Sequence, residues 1–166
     1  MPLYDVNDFA NYRERGRRIM GIDLGEKTIG VAISDATWRI ATPVMVIHRT
    51  NRNADIASIL SLASQYHALG IVVGHPINMN GSQGPQADKM REFARSISEL
   101  SQVLVALWDE RLSTAAVNRT LISADMSRKR RGEVVDKLAA TYILQGALDR
   151  LRTIESSSGS FSHHNF

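Results

Sequence analysis

Short apolar runs dominate the first third of the chain, and helical spacing takes over after them. Ahead of the runs, residues 1–16 are polar and mixed in charge. They read as a loosely attached extension in which Val6, Phe9 and Arg13 are spaced for no more than a short helix. Ile19-Met20-Gly21-Ile22 then ends at Asp23-Leu24-Gly25, Ile29-Gly30-Val31-Ala32-Ile33 follows, and Val44-Met45-Val46-Ile47 begins just after Pro43. Two β-prone runs joined by a Gly-containing loop predict a hairpin, and the third run extends it to a meander.

Beyond residue 50 the spacing changes. Asn53 or Asp55 can cap a helix whose apolar positions Ile56, Ile59, Leu60 and Ala63 repeat at helical spacing, with Gly70 as its stop. Ile71-Val72-Val73 predicts a buried strand ending at Gly74-His75-Pro76, and turn formers fill the loop from Asn78 to Gly84. A second helix spans roughly 86–100 and a strand covers 103–108, running into Asp109-Glu110. Ser113 or Thr114 then caps a short helix through Leu121. Residues 122–132 lack apolar periodicity. A long helix from about Glu133 to Leu151 follows, with Leu144, Ala147, Leu148 and Leu151 on one stripe. The Ser-rich tail from residue 154 predicts disorder. The order β-β-β-α-β-α-β-α-α predicts one α/β domain over residues 18–153, a mixed sheet with helices on its faces.

Composition narrows the class. A length of 166 residues suits one domain and excludes an enzyme built on two large lobes. With 43% apolar and 22% charged residues, the chain is not mostly disordered. The net charge of +3 permits a polyanionic partner without requiring one. Cysteine is absent, so thiolate zinc sites, disulfides and cysteine nucleophiles are excluded and a reducing compartment is expected. No apolar stretch approaches ~18 residues, which argues against a membrane span. Arg17-Arg18 precede an apolar run, but Asp23, Glu26 and Lys27 interrupt it at once, so the expected location is the cytoplasm.

Three carboxylates occupy unusual places. Asp23 closes the first strand, Glu110 closes the last, and Asp136 lies one turn into the final helix, on the face of Ala140, Ile143 and Ala147. Strand ends are where loops converge on a ligand in α/β sheets. A carboxylate facing the sheet needs a cation or donors to offset its desolvation. Three such acids suit a hard ion, Mg²⁺ or Mn²⁺, and two ions ~4 Å apart would hold a phosphodiester and activate water. The plain alternative is that each acid is a cap, an ion pair or a surface charge.

Four blocks in order bear on that choice. They are Gly21-Ile22-Asp23-Leu24-Gly25 with Ile29 to Asp35, Val73 to Ser82, Asp109-Glu110-Arg111-Leu112-Ser113-Thr114, and Val135-Asp136-Lys137-Leu138-Ala139-Ala140. Together, from about Arg18 to Leu151, they resemble the YqgF/RuvX family. The resemblance implies a ribonuclease H-like fold and a nuclease that either matures the 5′ end of precursor 16S ribosomal RNA or resolves Holliday junctions. It implies Asp23, Glu110 and Asp136 as metal-binding catalytic acids, and 5′-phosphate and 3′-hydroxyl products. His75 stands where the family more usually has Leu, leaving a proton-shuttle role open beside a structural or solvated one. Glu133 is a possible fourth acid or a first-turn charge favoured by the helix dipole.

Other residues suit phosphate handling. Gly25 lets a phosphate approach the turn after the first strand, and Lys27 could contact it or be a solvated hairpin charge. Arg111, Ser113 and Thr114 offer N–H groups and hydroxyls, with simple capping as the alternative for the last two. Arg128, Lys129, Arg130 and Arg131 would clamp nucleic-acid backbone with strong salt sensitivity, or form a solvated loop. Two further readings stay open. One is a fragment of an actin-like or sugar-kinase ATPase, disfavoured because 166 residues hold one lobe, so no nucleotide cofactor is expected. The other is a non-catalytic nucleic-acid or ribosome-assembly module. A junction with two-fold symmetry would call for a homodimer.

Overall fold

The computed structural model describes residues 3–76, 84–112 and 138–154. A 3₁₀ helix at Val6–Tyr12 precedes β1 (Arg18–Leu24), β2 (Thr28–Ser34), β3 (Ala41–His48), α1 (Arg52–Gln65), β4 (Ala68–His75), α2 (Pro85–Leu100), β5 (Leu104–Asp109) and a 3₁₀ turn at Glu110–Leu112. A final helix, α3, runs through residues 138–154. The five strands form one sheet in the order β3-β2-β1-β4-β5. The meander pairs antiparallel, while β4 joins β1 and β5 joins β4 in parallel. This is the mixed sheet that the element order predicts.

Both faces of the sheet are covered. Ile56, Ile59 and Ala63 of α1 and Met90, Phe93 and Ile97 of α2 pack with Met20, Ile22, Ile71 and Val73 on one side. Val6 and Phe9 of the first 3₁₀ helix and Ala140, Ile143, Leu144, Ala147 and Leu148 of α3 pack with Ile19 and Val72 on the other. Two-sided burial explains why β4 is buried along its whole length and reads as a continuous apolar run rather than an alternation.

Several boundaries differ from the predicted ones for physical reasons. β1 to β4 extend one to three residues beyond the apolar runs, mostly into polar or small positions that the hydrogen-bond ladders accept, and β5 starts and ends one residue later than expected. The cap of α1 is Asn51, whose side chain accepts from the Ala54 N–H, so Asn53 and Asp55 lie inside the helix. The helix ends at Gln65 with Tyr66 as its C-cap, and His67 takes the left-handed conformation at φ 56°. Gly70 is not its stop but lies within β4, where a Cβ would come within 2.7 Å of Cε2 of Phe9. That ring belongs to the N-terminal segment, which is no loose extension: Tyr4 bridges to Ala106, its N–H donates to the Val105 carbonyl at 2.8 Å, and Val6 and Phe9 are buried. The expected helix at 113–121, the basic run at 128–131, the start of the last helix and most of the tail lie outside the described residues.

The turn after β2 is organised by Asp35. Its carboxylate accepts from the N–H groups of Thr37, Arg39 and Ile40 and from the Thr37 hydroxyl. Burial alone would push this carboxyl upward, but the hydrogen bonds from Ile40, Thr37 and Arg39 outweigh it and hold it at about 2. A folded-state value below the unfolded 3.8 stabilises the protein above about pH 4, and the contribution fades as pH falls through 2. Asp35→Asn is therefore expected to cost about 1 kcal/mol at pH 7, discounted for partial solvation, and to flatten the acid limb of a urea-unfolding series.

Candidate active site

Alternation along β1 decides where its carboxylate points. Met20, Ile22 and Leu24 face α1 and α2, so Ile19, Gly21 and Asp23 face α3. Asp23 is 6% exposed, at the end of the strand. The β1–β4 ladder pairs Ile22 with Val73, so Asp23 stands beside Gly74, and the β4–β5 ladder pairs Gly74 with Trp108, two residues before Glu110. A Cβ on Gly74 would lie 3.1 Å from Oε1 of Glu110 and 2.5 Å from Cδ1 of Ile143. The missing side chain therefore leaves the space in which the half-buried Glu110 carboxylate sits, one strand away from Asp23.

Asp136 and Glu133 lie outside the described residues. The helix face assigned to Asp136 does turn to the sheet, since Ala140, Ile143 and Ala147 are fully buried. Among the described residues no group of three potential metal ligands converges. The groups that Asp23 and Glu110 bring to these strand ends are carboxylate oxygens, the donor type that suits a hard divalent ion, with a third ligand still to be supplied.

The remaining candidates fall in different places. Gly25 closes the turn after β1: its N–H donates to the Thr28 carbonyl at 2.8 Å, and a Cβ there would meet that oxygen at 2.9 Å. Lys27 is exposed on the same turn, and its carbonyl accepts from the Arg49 N–H. Arg111 clasps Asp109 through Nη2 at 2.7 Å and Nε at 3.1 Å, holding that carboxyl below the usual range, so this guanidinium is already engaged within its own turn. Ser113, Thr114, Arg128, Lys129, Arg130 and Arg131 are outside the described residues.

His75 is neither on a loop nor solvated. It ends β4, is 4% exposed, and alternates with Ile71 and Val73 onto the side of α2, opposite Asp23 and Glu110. Burial and then the nearby Arg91 charge lower its pKa against a hydrogen bond to the Ala87 backbone, which keeps the imidazole neutral at pH 7. Its Nε2 has no hydrogen-bond partner among the described residues. This placement suits packing under α2 better than proton transfer at the acids. Two residues that sequence reading did not bring to the site are Gly74 and Arg49. Arg49 Nη1 donates to the Gly25 carbonyl at 2.8 Å.

Known proteins bear on this arrangement. A relative from Nitrobacter winogradskyi is 53% identical over 159 residues, covering 96% of each chain, and one from Rhodospirillum rubrum is 50% identical over 152 residues, covering 91% of this chain and 94% of that one. Both carry the name "Putative pre-16S rRNA nuclease". Among solved structures, RuvC of T. thermophilus in complex with a Holliday junction substrate superposes with a TM-score of 0.52 at 12% identity, over 82% of this chain and 97% of that one. At that identity the likeness speaks for the fold, which is ribonuclease H-like as expected. A family model described as "RuvX: Holliday junction resolvase" matches residues 17–150, and the chain belongs to that family.

Proposed function

We propose that this protein is a metal-dependent nuclease that hydrolyses phosphodiester bonds in structured nucleic acid, with the 5′ end of precursor 16S ribosomal RNA as its substrate. The observation that carries the reading is the placement of Asp23 and Glu110 at neighbouring strand ends on either side of Gly74, in a family whose relatives are named for nuclease activity. Asp23 and Glu110, with Asp136 as third ligand, would hold Mg²⁺ or Mn²⁺, two ions in the full site. Such ions supply neutralisation of the phosphate charge and a water activated for in-line attack.

The chain contributes the rest. Burial of Asp23 removes competing water, and the β1, β4 and β5 ladders fix both carboxylates on a rigid frame. Hydrolysis joins the water oxygen to phosphorus and breaks the bond to the 3′ oxygen, leaving a 5′-phosphate and a 3′-hydroxyl. Gly25 and Lys27, on the turn next to Asp23, and the basic residues 128–131 would contact backbone phosphates, so affinity falls steeply with salt. No helix among the described residues is long and apolar enough to cross a membrane. The setting we propose is the cytoplasm, where precursor ribosomal RNA is found.

The family description favours a second reading, a Holliday junction resolvase, for which two copies would act on a two-fold symmetric substrate. The test compares end-labelled precursor 16S ribosomal RNA with a four-way DNA junction, in Mg²⁺, in Mn²⁺ and in chelator. Cutting of the RNA with either metal and none in chelator is expected. Preference for the junction would transfer the assignment to the resolvase. Salt-sensitive binding with no cutting of either substrate would leave only a binding module.

A further inference from the structure

β3 ends at His48, and Arg49 follows it into the gap between the β1–β2 turn and α2. Its guanidinium is held from several sides. Nε donates to Oδ2 of Asp55 at 3.1 Å, Nη1 donates to the Gly25 carbonyl at 2.8 Å, and the Phe93 ring centroid lies 5.5 Å away. Asp55 is only 2% exposed and also accepts from the Thr50 N–H at 3.0 Å. A carboxylate so buried needs its counter-charge, which locks Arg49 in place. Nη2 has no partner among the described residues, and a quarter of the side chain remains accessible.

A cavity of about 570 Å³ opens beside this arginine, within the size range of small-ligand sites. Leu24 and Met90, both nearly buried, form apolar parts of its wall, and Arg49, Gln86 and Lys89 supply donors. Glu26 also lines it, and with Arg49 paired to Asp55, the exposed Lys89 is the lining cation without a counter-ion of its own among the described residues. Leu24 and Gly25 directly follow Asp23, so the cavity begins one residue from the candidate metal site.

We propose that this cavity receives one nucleotide of the substrate strand where it passes from the acids over the end of β1, with its phosphate between Arg49 and Lys89 and its base against Leu24 and Met90. The buried Asp55 acts through Arg49 as a positioning residue, setting both the phosphate contact and the turn after Asp23. The assignment rests on the nuclease reading and adds to it a binding subsite on the face of the sheet opposite the acids.

The test uses the full chain with Lys89→Ala and Gln86→Trp, both exposed positions at which folding is preserved. Binding of labelled single-stranded RNA and of DNA of the same sequence is measured in chelator across a salt series, and cleavage kinetics in Mg²⁺. Lys89→Ala is expected to weaken binding about five- to ten-fold and to lower the log–log salt slope by about 0.7. Gln86→Trp, which fills the cavity, is expected to raise KM at least as much while lowering kcat far less. A loss on either nucleic acid supports the subsite. If the wild type cuts while both variants match it in slope, affinity and KM, the subsite is overturned and the nuclease reading stands. If the wild type neither binds nor cuts any nucleic acid, both fall.

Discussion

Asp23→Asn is expected to reduce phosphodiester cleavage by roughly 10³-fold or more while the protein stays folded. The substitution preserves size and shape, exchanges one acceptor oxygen for an NH2 donor and removes one negative charge. At a surface that change would be small. Asp23 is almost completely buried at a strand end, however, where a full negative charge is strongly felt by any cation bound beside it. The amide keeps the packing of that position, so stability is expected to stay within about 1 kcal/mol of the wild type. Cleavage of precursor ribosomal RNA, thermal unfolding and Mn²⁺ titration followed by spin resonance separate the two roles. Lost cleavage with weakened Mn²⁺ binding and an unchanged melting temperature is the expected set. Cleavage within ten-fold of the wild type would remove Asp23 from the site.

Gly21→Ala is expected to destabilise the domain by about 2–3 kcal/mol, which lowers its melting temperature by roughly 5–10 °C. Gly21 sits where α3 crosses β1. A Cβ there would meet Cβ of Leu144 at 2.7 Å and the Ala140 carbonyl at 3.1 Å. Neither atom is the free end of a flexible side chain, so the helix itself has to retreat from the sheet. The cost then spreads to Ala140, Leu144 and Leu148, all fully buried against that face. Urea and thermal unfolding measure it directly. An unchanged midpoint would mean that α3 adjusts without loss and that close helix–sheet contact is not what requires a glycine here.

The elements themselves were legible because apolar spacing and turn residues mark them: the meander, α1, β4, α2 and β5 all appear in the predicted order. What escaped was the information held between distant residues. Gly70 looks like a helix stop until Phe9, sixty-one positions earlier, is known to occupy the space over it. The N-terminal segment looks polar because only Val6 and Phe9 of its helix are buried. At the site, the positions of Asp23 and Glu110 at strand ends were readable from the runs that precede them. Gly74 was not, because its role exists only once β4 lies between β1 and β5. Arg49 and Asp55 carry no local pattern that marks a buried pair, although Asp35 followed by Ala36-Thr37 is a recognisable side-chain-capped turn.

The docking of the N-terminal segment has a consequence for synthesis on the ribosome. Tyr4 and Phe9 leave the tunnel well before β5, with which Tyr4 pairs, and α3, with which the helix packs. Those partners are made roughly a hundred or more residues later, an interval of about 5–20 s at ordinary elongation rates. Phe9 meets Gly70 of β4 earlier, but the edge of β5 with which Tyr4 pairs does not exist until then. The pairing of Tyr4 with β5 is therefore a late event in folding.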